Sequence, residues 1–83
     1  MDPGDEGNVL LSFDSPGADP RGMAWDGHTL WVSDFSGQKI YQLDIGGKVL
    51  SSLPSPGTGP MGLTWDGEHL WCVDLNNGMV YRL

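Results

Sequence analysis

The chain has 83 residues, four basic residues against eleven acidic ones, and a formal net charge of −7. That balance repels phosphate backbones and sets nucleic acid aside as a partner. No apolar run reaches the ~20 residues of a membrane-spanning helix, so no membrane partner is expected. One cysteine, Cys72, rules out an intrachain disulfide and fits a reducing compartment. No Cys/His spacing of metal-binding type occurs, and no metal or cofactor is expected.

In chain order, residues 1–8 read as a short acidic, flexible leader. It lacks the basic and apolar regions of a signal peptide, which makes a cytoplasmic location the default expectation. Thirteen glycines and six prolines then punctuate short apolar runs, the pattern of an all-β protein. Eight strands are predicted: Val9–Phe13, Gly22–Trp25, Leu30–Ser33, Ile40–Leu43, Val49–Leu53, Gly62–Trp65, Leu70–Val73 and Met79–Leu83. No window carries a helical period. Asp26-Gly27 and Asp66-Gly67 are short-hairpin signals, because glycine accepts positive φ cheaply. Ser36-Gly37, Gly46-Gly47 and Asn76-Asn77-Gly78 mark further tight turns. Residues 15–20 and 55–60 are longer proline-containing connections.

The chain says nearly the same thing twice, 40 residues apart. Residues 9–43 laid over 49–83 give about 16 identities in 35 positions, among them Trp25-Asp26-Gly27 with Trp65-Asp66-Gly67 and Leu30-Trp31 with Leu70-Trp71. The first repeat is residues 9–48 and the second 49–83. A strict period near 40 with strand-like units points to propeller blades. Alternation across the Asp-Gly hairpin places Met23, Trp25, Leu30 and Val32 on a first face and Ala24, Trp31 and Ser33 on a second. The corresponding faces of the second repeat are Leu63, Trp65, Leu70 and Cys72, then Thr64, Trp71 and Val73. A tryptophan on each face of a small sheet predicts sheets stacked face to face.

The run Gly-Met-Ala-Trp-Asp-Gly, Leu-Trp-Val-Ser-Asp, Lys-Ile-Tyr-Gln-Leu-Asp, Gly-Lys-Val-Leu resembles the blade of an NHL-type β-propeller. The likeness covers both repeats, about nine tenths of the chain. The Trp-Asp-Gly turn departs from the usual NHL spacing, being shorter and carrying Trp. Related blades occur in lactonase-like and cyclotransferase-like propellers. The resemblance implies two four-stranded antiparallel blades per chain, with Gly22–Trp25 as an inner strand. Two blades cannot close a ring, so a homo-oligomer is expected: a six-bladed trimer first, an eight-bladed tetramer second. Val9–Phe13 repeats as the outer strand Val49–Leu53. It is therefore expected to pair with Met79–Leu83 of a neighbouring copy. The expected interface comprises Val9, Leu11, Phe13, Trp25, Trp31, Trp65, Trp71, Val80 and Tyr81.

Within that arrangement Arg21 and Met61 precede the inner strands and would face the channel mouth with Asp34 and Asp74. Copies of Arg21 could hold a carboxylate or phosphate; alternatively Arg21 pairs with Asp19. Asp34 and Asp74 could form a carboxylate ring for a cation; alternatively they accept backbone hydrogen bonds in the following turns. Asp26 and Asp66 are expected to be structural. His28 and His69 occupy non-equivalent positions without a visible catalytic partner, and Cys72 stands where the first repeat has Val32, as a core hydrophobe. The expected role is a self-assembling binding or scaffolding module with a ligand of unknown identity and no assigned catalytic residue. The alternatives are a lactonase-like or cyclotransferase-like propeller enzyme, or an excised or engineered fragment without activity of its own.

Overall fold

A computed structural model of the chain describes residues 11–83. The strands are β1 (Pro20–Trp25), β2 (Leu30–Asp34), β3 (Lys39–Leu43), β4 (Val49–Pro54), β5 (Pro60–Trp65), β6 (Leu70–Asp74) and β7 (Val80–Arg82). They form two antiparallel sheets, β1-β2-β3-β4 and β5-β6-β7, and the described residues contain no helix. The expected first strand falls partly outside the described residues, at Val9 and Leu10. Its remaining part, Leu11–Phe13, is not in a strand. Among the described residues the second sheet has three strands, the number the repeat reading assigns to one chain before a neighbouring copy adds a fourth.

The two hairpins built on Asp-Gly form as the turn chemistry requires. Gly27 has φ 100° and Gly67 φ 105°, a left-handed conformation that glycine alone adopts without cost. The turns close with Asp26 N–H donating to Thr29 O at 3.2 Å and Asp66 N–H to His69 O at 3.1 Å. Trp25 pairs with Leu30 and Met23 with Val32, and the second sheet repeats this as Trp65 with Leu70 and Leu63 with Cys72. The face assignments of the alternating pattern therefore hold. A register shift at Arg21, repeated at Met61, lets the long connection enter each first strand.

The core lies between the sheets. The second face of sheet one, with Ala24 and Ile40, packs against the first face of sheet two, with Leu70 and Cys72. Trp31, Leu53, Leu63 and Trp65 flank this cluster. Burying a side chain such as Ile40 contributes about 2 kcal/mol relative to leaving it in water. At the centre the strands β1 and β5 touch through their backbones. A Cβ on Gly22 would lie 2.2 Å from Met61 O and 2.8 Å from Gly62 Cα, so only glycine fits there. Ser33 ties the same point together. Its hydroxyl accepts from Gly22 N–H at 2.9 Å and donates to Met61 O at 2.7 Å across the two sheets.

The other two faces point away from this joint. On sheet one Met23 and Trp25 of the first face are exposed. On sheet two Val73 and Val80 of the second face are exposed. Val80 occupies the repeat position of Ile40, yet Val80 is 62% exposed and Ile40 0%. Position alone does not bury a residue here; a facing sheet does.

Candidate functional site

The proline-containing connections and the β2–β3 and β6–β7 turns meet at one end of the sheets. Phe35 N–H donates to Asp19 O at 2.9 Å, and Leu75 N–H to Gly59 O at 2.8 Å. Two equivalent loop pairs thus form, one per repeat, each built around the aspartate that ends the second strand.

Asp34 and Asp74 are both buried within these loop pairs. Asp34 Oδ1 accepts from Asp19 N–H at 3.1 Å. Asp74 accepts from Gly59 N–H at 3.0 Å, Asn76 N–H at 2.9 Å and Asn77 N–H at 3.1 Å. Glycine makes room for each carboxylate. A Cβ at Gly17 would lie 2.4 Å from Asp34 Cγ, and one at Gly57 would lie 2.1 Å from Asp74 Oδ2. These carboxylates accept amides of the chain's own loops, which satisfies backbone donors that the turns would otherwise leave without partners.

Arg21 lies at the surface of the first loop pair. Its Nε donates to Asp19 Oδ1 at 2.8 Å and a terminal nitrogen donates to Asp19 Oδ2 at 3.3 Å. Its guanidinium sits 5.0 Å from the centre of the Phe35 ring, within cation–π range. The hydrogen bond and charge of Asp19 raise the Arg21 pKa above its ordinary value. Beside it a shallow depression of about 320 Å3 is lined by Phe13, Met23, Val32 and Leu43. Met61, the equivalent residue, is half-buried, and the Ser33 hydroxyl bonds its carbonyl. The two positions are neighbours through the β1–β5 contact but differ in character. The first loop end presents a paired cation on an aromatic ring, and the second presents Met61 and an exposed Leu75.

At the opposite end sits an arrangement that strand and turn reasoning missed. Asp26 accepts from His28 N–H at 2.8 Å, Thr29 N–H at 2.7 Å, Thr29 Oγ1–H at 2.7 Å and the Trp31 indole N–H at 2.9 Å. Asp66 accepts from Glu68 N–H at 2.8 Å, His69 N–H at 2.7 Å and the Trp71 indole N–H at 2.6 Å. The Thr29 hydroxyl and amide hold Asp26 well below the usual carboxylate range; Trp71 foremost, then the turn amides, lower Asp66 to about 2. The signal was present as an aspartate five residues before a tryptophan, twice.

Of the residues expected at an interface between copies, Trp31 and Trp65 pack between the two sheets of one chain. Trp25 and Val80 are exposed on outward faces, Trp71 is half-buried, and the Tyr81 hydroxyl accepts from Asn77 at 2.8 Å. Leu11 and Phe13 are exposed, and Val9 lies outside the described residues. Cys72 is buried in the core, where burial first and the Asp74 charge second push its thiol pKa up, disfavouring a thiolate nucleophile. Among the described residues no three His, Cys, Asp or Glu side chains converge to hold a metal ion. No family model matches the chain, and no curated protein matches it.

Proposed function

We propose that the chain is a self-assembling module with a binding or scaffolding role, whose copies join head to tail into a β-propeller similar to the NHL type. The observation that carries the reading is the mismatch of faces. One joint, second face on first face, is closed within the chain, and one copy of each face remains outward. The outward second face of sheet two can meet the outward first face of sheet one on another copy. Contacts of this heterologous kind close into a ring when the rotation fits. Three copies would give six blades, and four would give eight.

The position of Phe13 supports the same reading. Its repeat equivalent, Leu53, packs on the first face of sheet two from the outer strand of sheet one. Phe13 lies over the first face of sheet one, beside Met23 and Val32, and against Gly47. The segment therefore runs where the outer strand of a preceding sheet would run. In an assembly it would complete the three-stranded second sheet of the neighbour. The loop pairs bearing Arg21 and Met61 would then alternate around the mouth of the channel and offer the ligand-binding surface.

Absolute mass in solution tests the reading, by native mass spectrometry or light scattering at micromolar concentration. The expected result is a single closed species of three copies, with four as the second choice. A folded monomer across the concentration range overturns it.

A further inference from the structure

Inside its own chain Gly62 meets Gly22 through its backbone, and on its other side only the Val73 side chain crowds the place of a Cβ. Its φ is not in the left-handed region, and a Cβ added there would meet only Val73 Cγ1, at 3.2 Å. Glycine in a strand interior weakens the strand and often marks a close approach by another backbone. Its repeat equivalent, Gly22, is such a case: it is pressed against the backbone of Met61, Gly62 and Leu63. We infer that Gly62 is the seat on which the Arg21-Gly22-Met23 backbone of a second copy docks, an inference resting on the assembly reading above.

The surroundings of Gly62 fit that occupant. Gly62 pairs with Val73, Thr64 with Trp71, and Val73 with Val80, so these residues share one sheet face. The same positions in sheet one are Gly22, Ser33, Ala24, Trp31 and Ile40, which form the closed joint within the chain. The face that closes that joint, Leu63, Trp65, Leu70 and Cys72, has its repeat copy in the outward Met23, Trp25, Leu30 and Val32. Both halves of a second joint are therefore present on each chain, pointing in opposite directions. A single chain cannot bring them together, and a second copy can.

The two joints differ in several side chains, and one of these differences removes a hydrogen bond. Ser33 is 0% exposed and bridges the sheets through its hydroxyl, whereas its equivalent Val73 is 43% exposed and carries no hydroxyl. The joint between copies thus lacks the polar bridge that fastens the joint within a chain. It is the joint at which an assembly comes apart on dilution.

The test compares wild type, Gly62→Ala and Val73→Lys for mass in solution, with near-ultraviolet circular dichroism as the check on folding. Ile45→Lys, at an exposed residue of the β3–β4 turn off both faces, is the control. The expected result is a multimeric wild type and control, and folded monomers for Gly62→Ala and Val73→Lys at the same concentration. A wild type that assembles while folded Gly62→Ala assembles equally well overturns the inference and leaves assembly standing through another surface. If Gly62→Ala does not fold, folded Val73→Lys decides in the same two directions. A monomeric wild type overturns both this inference and the assembly reading.

Discussion

The indole N–H of Trp31 donates to Asp26 Oδ2 at 2.9 Å, so the tryptophan of the second strand is clasped by the aspartate that opens its own hairpin. Trp71 and Asp66 repeat the clasp at 2.6 Å. Each carboxylate thus organises its turn twice over, through the turn amides and through a side chain on the far strand. A half-buried indole needs a partner for its N–H, and here the partner is local. The clasp fixes the orientation of the Trp31 ring at the edge of the sheet-to-sheet joint, and of the Trp71 ring on the outward face of sheet two.

These clasps make stability depend on acid. Both carboxylates have folded pKa values below the ordinary 3.8, Asp66 at about 2. A depressed folded pKa gives a contribution fully present above the unfolded value and lost as pH falls through the folded value. The melting temperature should therefore hold steady from neutral pH down to about 5 and fall between about pH 4 and 2. Asp66→Asn should flatten part of that fall. Thermal melts followed by tryptophan fluorescence across this range check it; a wild-type melting temperature flat to pH 2 contradicts the clasp.

Equivalent tryptophans should respond differently to truncation. Trp31 packs against the core cluster within the chain, and Trp71 stands on the outward face of sheet two. Trp31→Ala should lower the unfolding free energy of the chain by about 3 kcal/mol, the low end for a large aromatic because the ring is half-buried. Trp71→Ala should act mainly on assembly, raising the concentration at which copies dissociate. Denaturant titrations at two protein concentrations separate the effects, since only the assembly contribution varies with concentration.

The seven strands from β1 to β7 and their hairpin registers were legible because two local signals agree, alternation of apolar residues and the Asp-Gly turn, whereas Leu11–Phe13 alternates in the same way and is not in a strand. Trp25 opposite Leu30 follows from both. Which faces meet was not legible, since Met23 and Leu63 read alike, and only the packing of the two sheets partly covers Leu63 and leaves Met23 exposed. The Ser33 bridge was hidden for the same reason: its acceptor, Met61 O, is 28 residues away. For Arg21, Asp34 and Asp74 the alternatives of ligand and local partner could not be separated in sequence. In the folded chain Asp19 and the loop amides are the groups they touch.

Arg21 is exposed and paired with a residue two positions away, an arrangement that contributes little to stability. Arg21→Ala should leave the melting temperature unchanged within error and remove any affinity of the assembly for carboxylate or phosphate anions. Calorimetric titration with inorganic phosphate checks the second half. Anion binding that survives the substitution places the anion elsewhere.

The outer-strand reading makes a graded expectation for truncation. Removing residues 1–7 takes away only acidic leader and should leave assembly near wild type. Removing residues 1–14 also takes away Phe13 and the apolar residues before it. That deletion should uncover Val32 and Leu43 and leave β7 as an unpaired edge, which invites disordered pairing. Sedimentation of the two truncations should show the second dissociating at far higher concentration than the first, with a tendency to aggregate. Equal behaviour of the two contradicts a role for residues 9–13 in joining copies.

Gln38 and Gly78 are repeat equivalents at the ends of the turns after β2 and β6, and both have positive φ, 57° and 70°. Glycine takes this conformation freely, while a residue with a Cβ is strained in it by about 1 kcal/mol. Gly78 has open space around it: a Cβ added there meets nothing within 4 Å. Any cost of a side chain at that position is therefore backbone strain alone. Gly78→Gln should destabilise by about 1 kcal/mol, and Gln38→Gly should stabilise by a little less, because glycine also loosens the unfolded chain. The Gln38 carbonyl accepts from Ser55 N–H at 3.0 Å, a backbone bond that the glycine variant keeps. Opposite shifts in the denaturant midpoint with unchanged slope are the expected outcome. A loss of stability in Gln38→Gly would mean that the glutamine side chain holds a contact worth more than the strain it imposes.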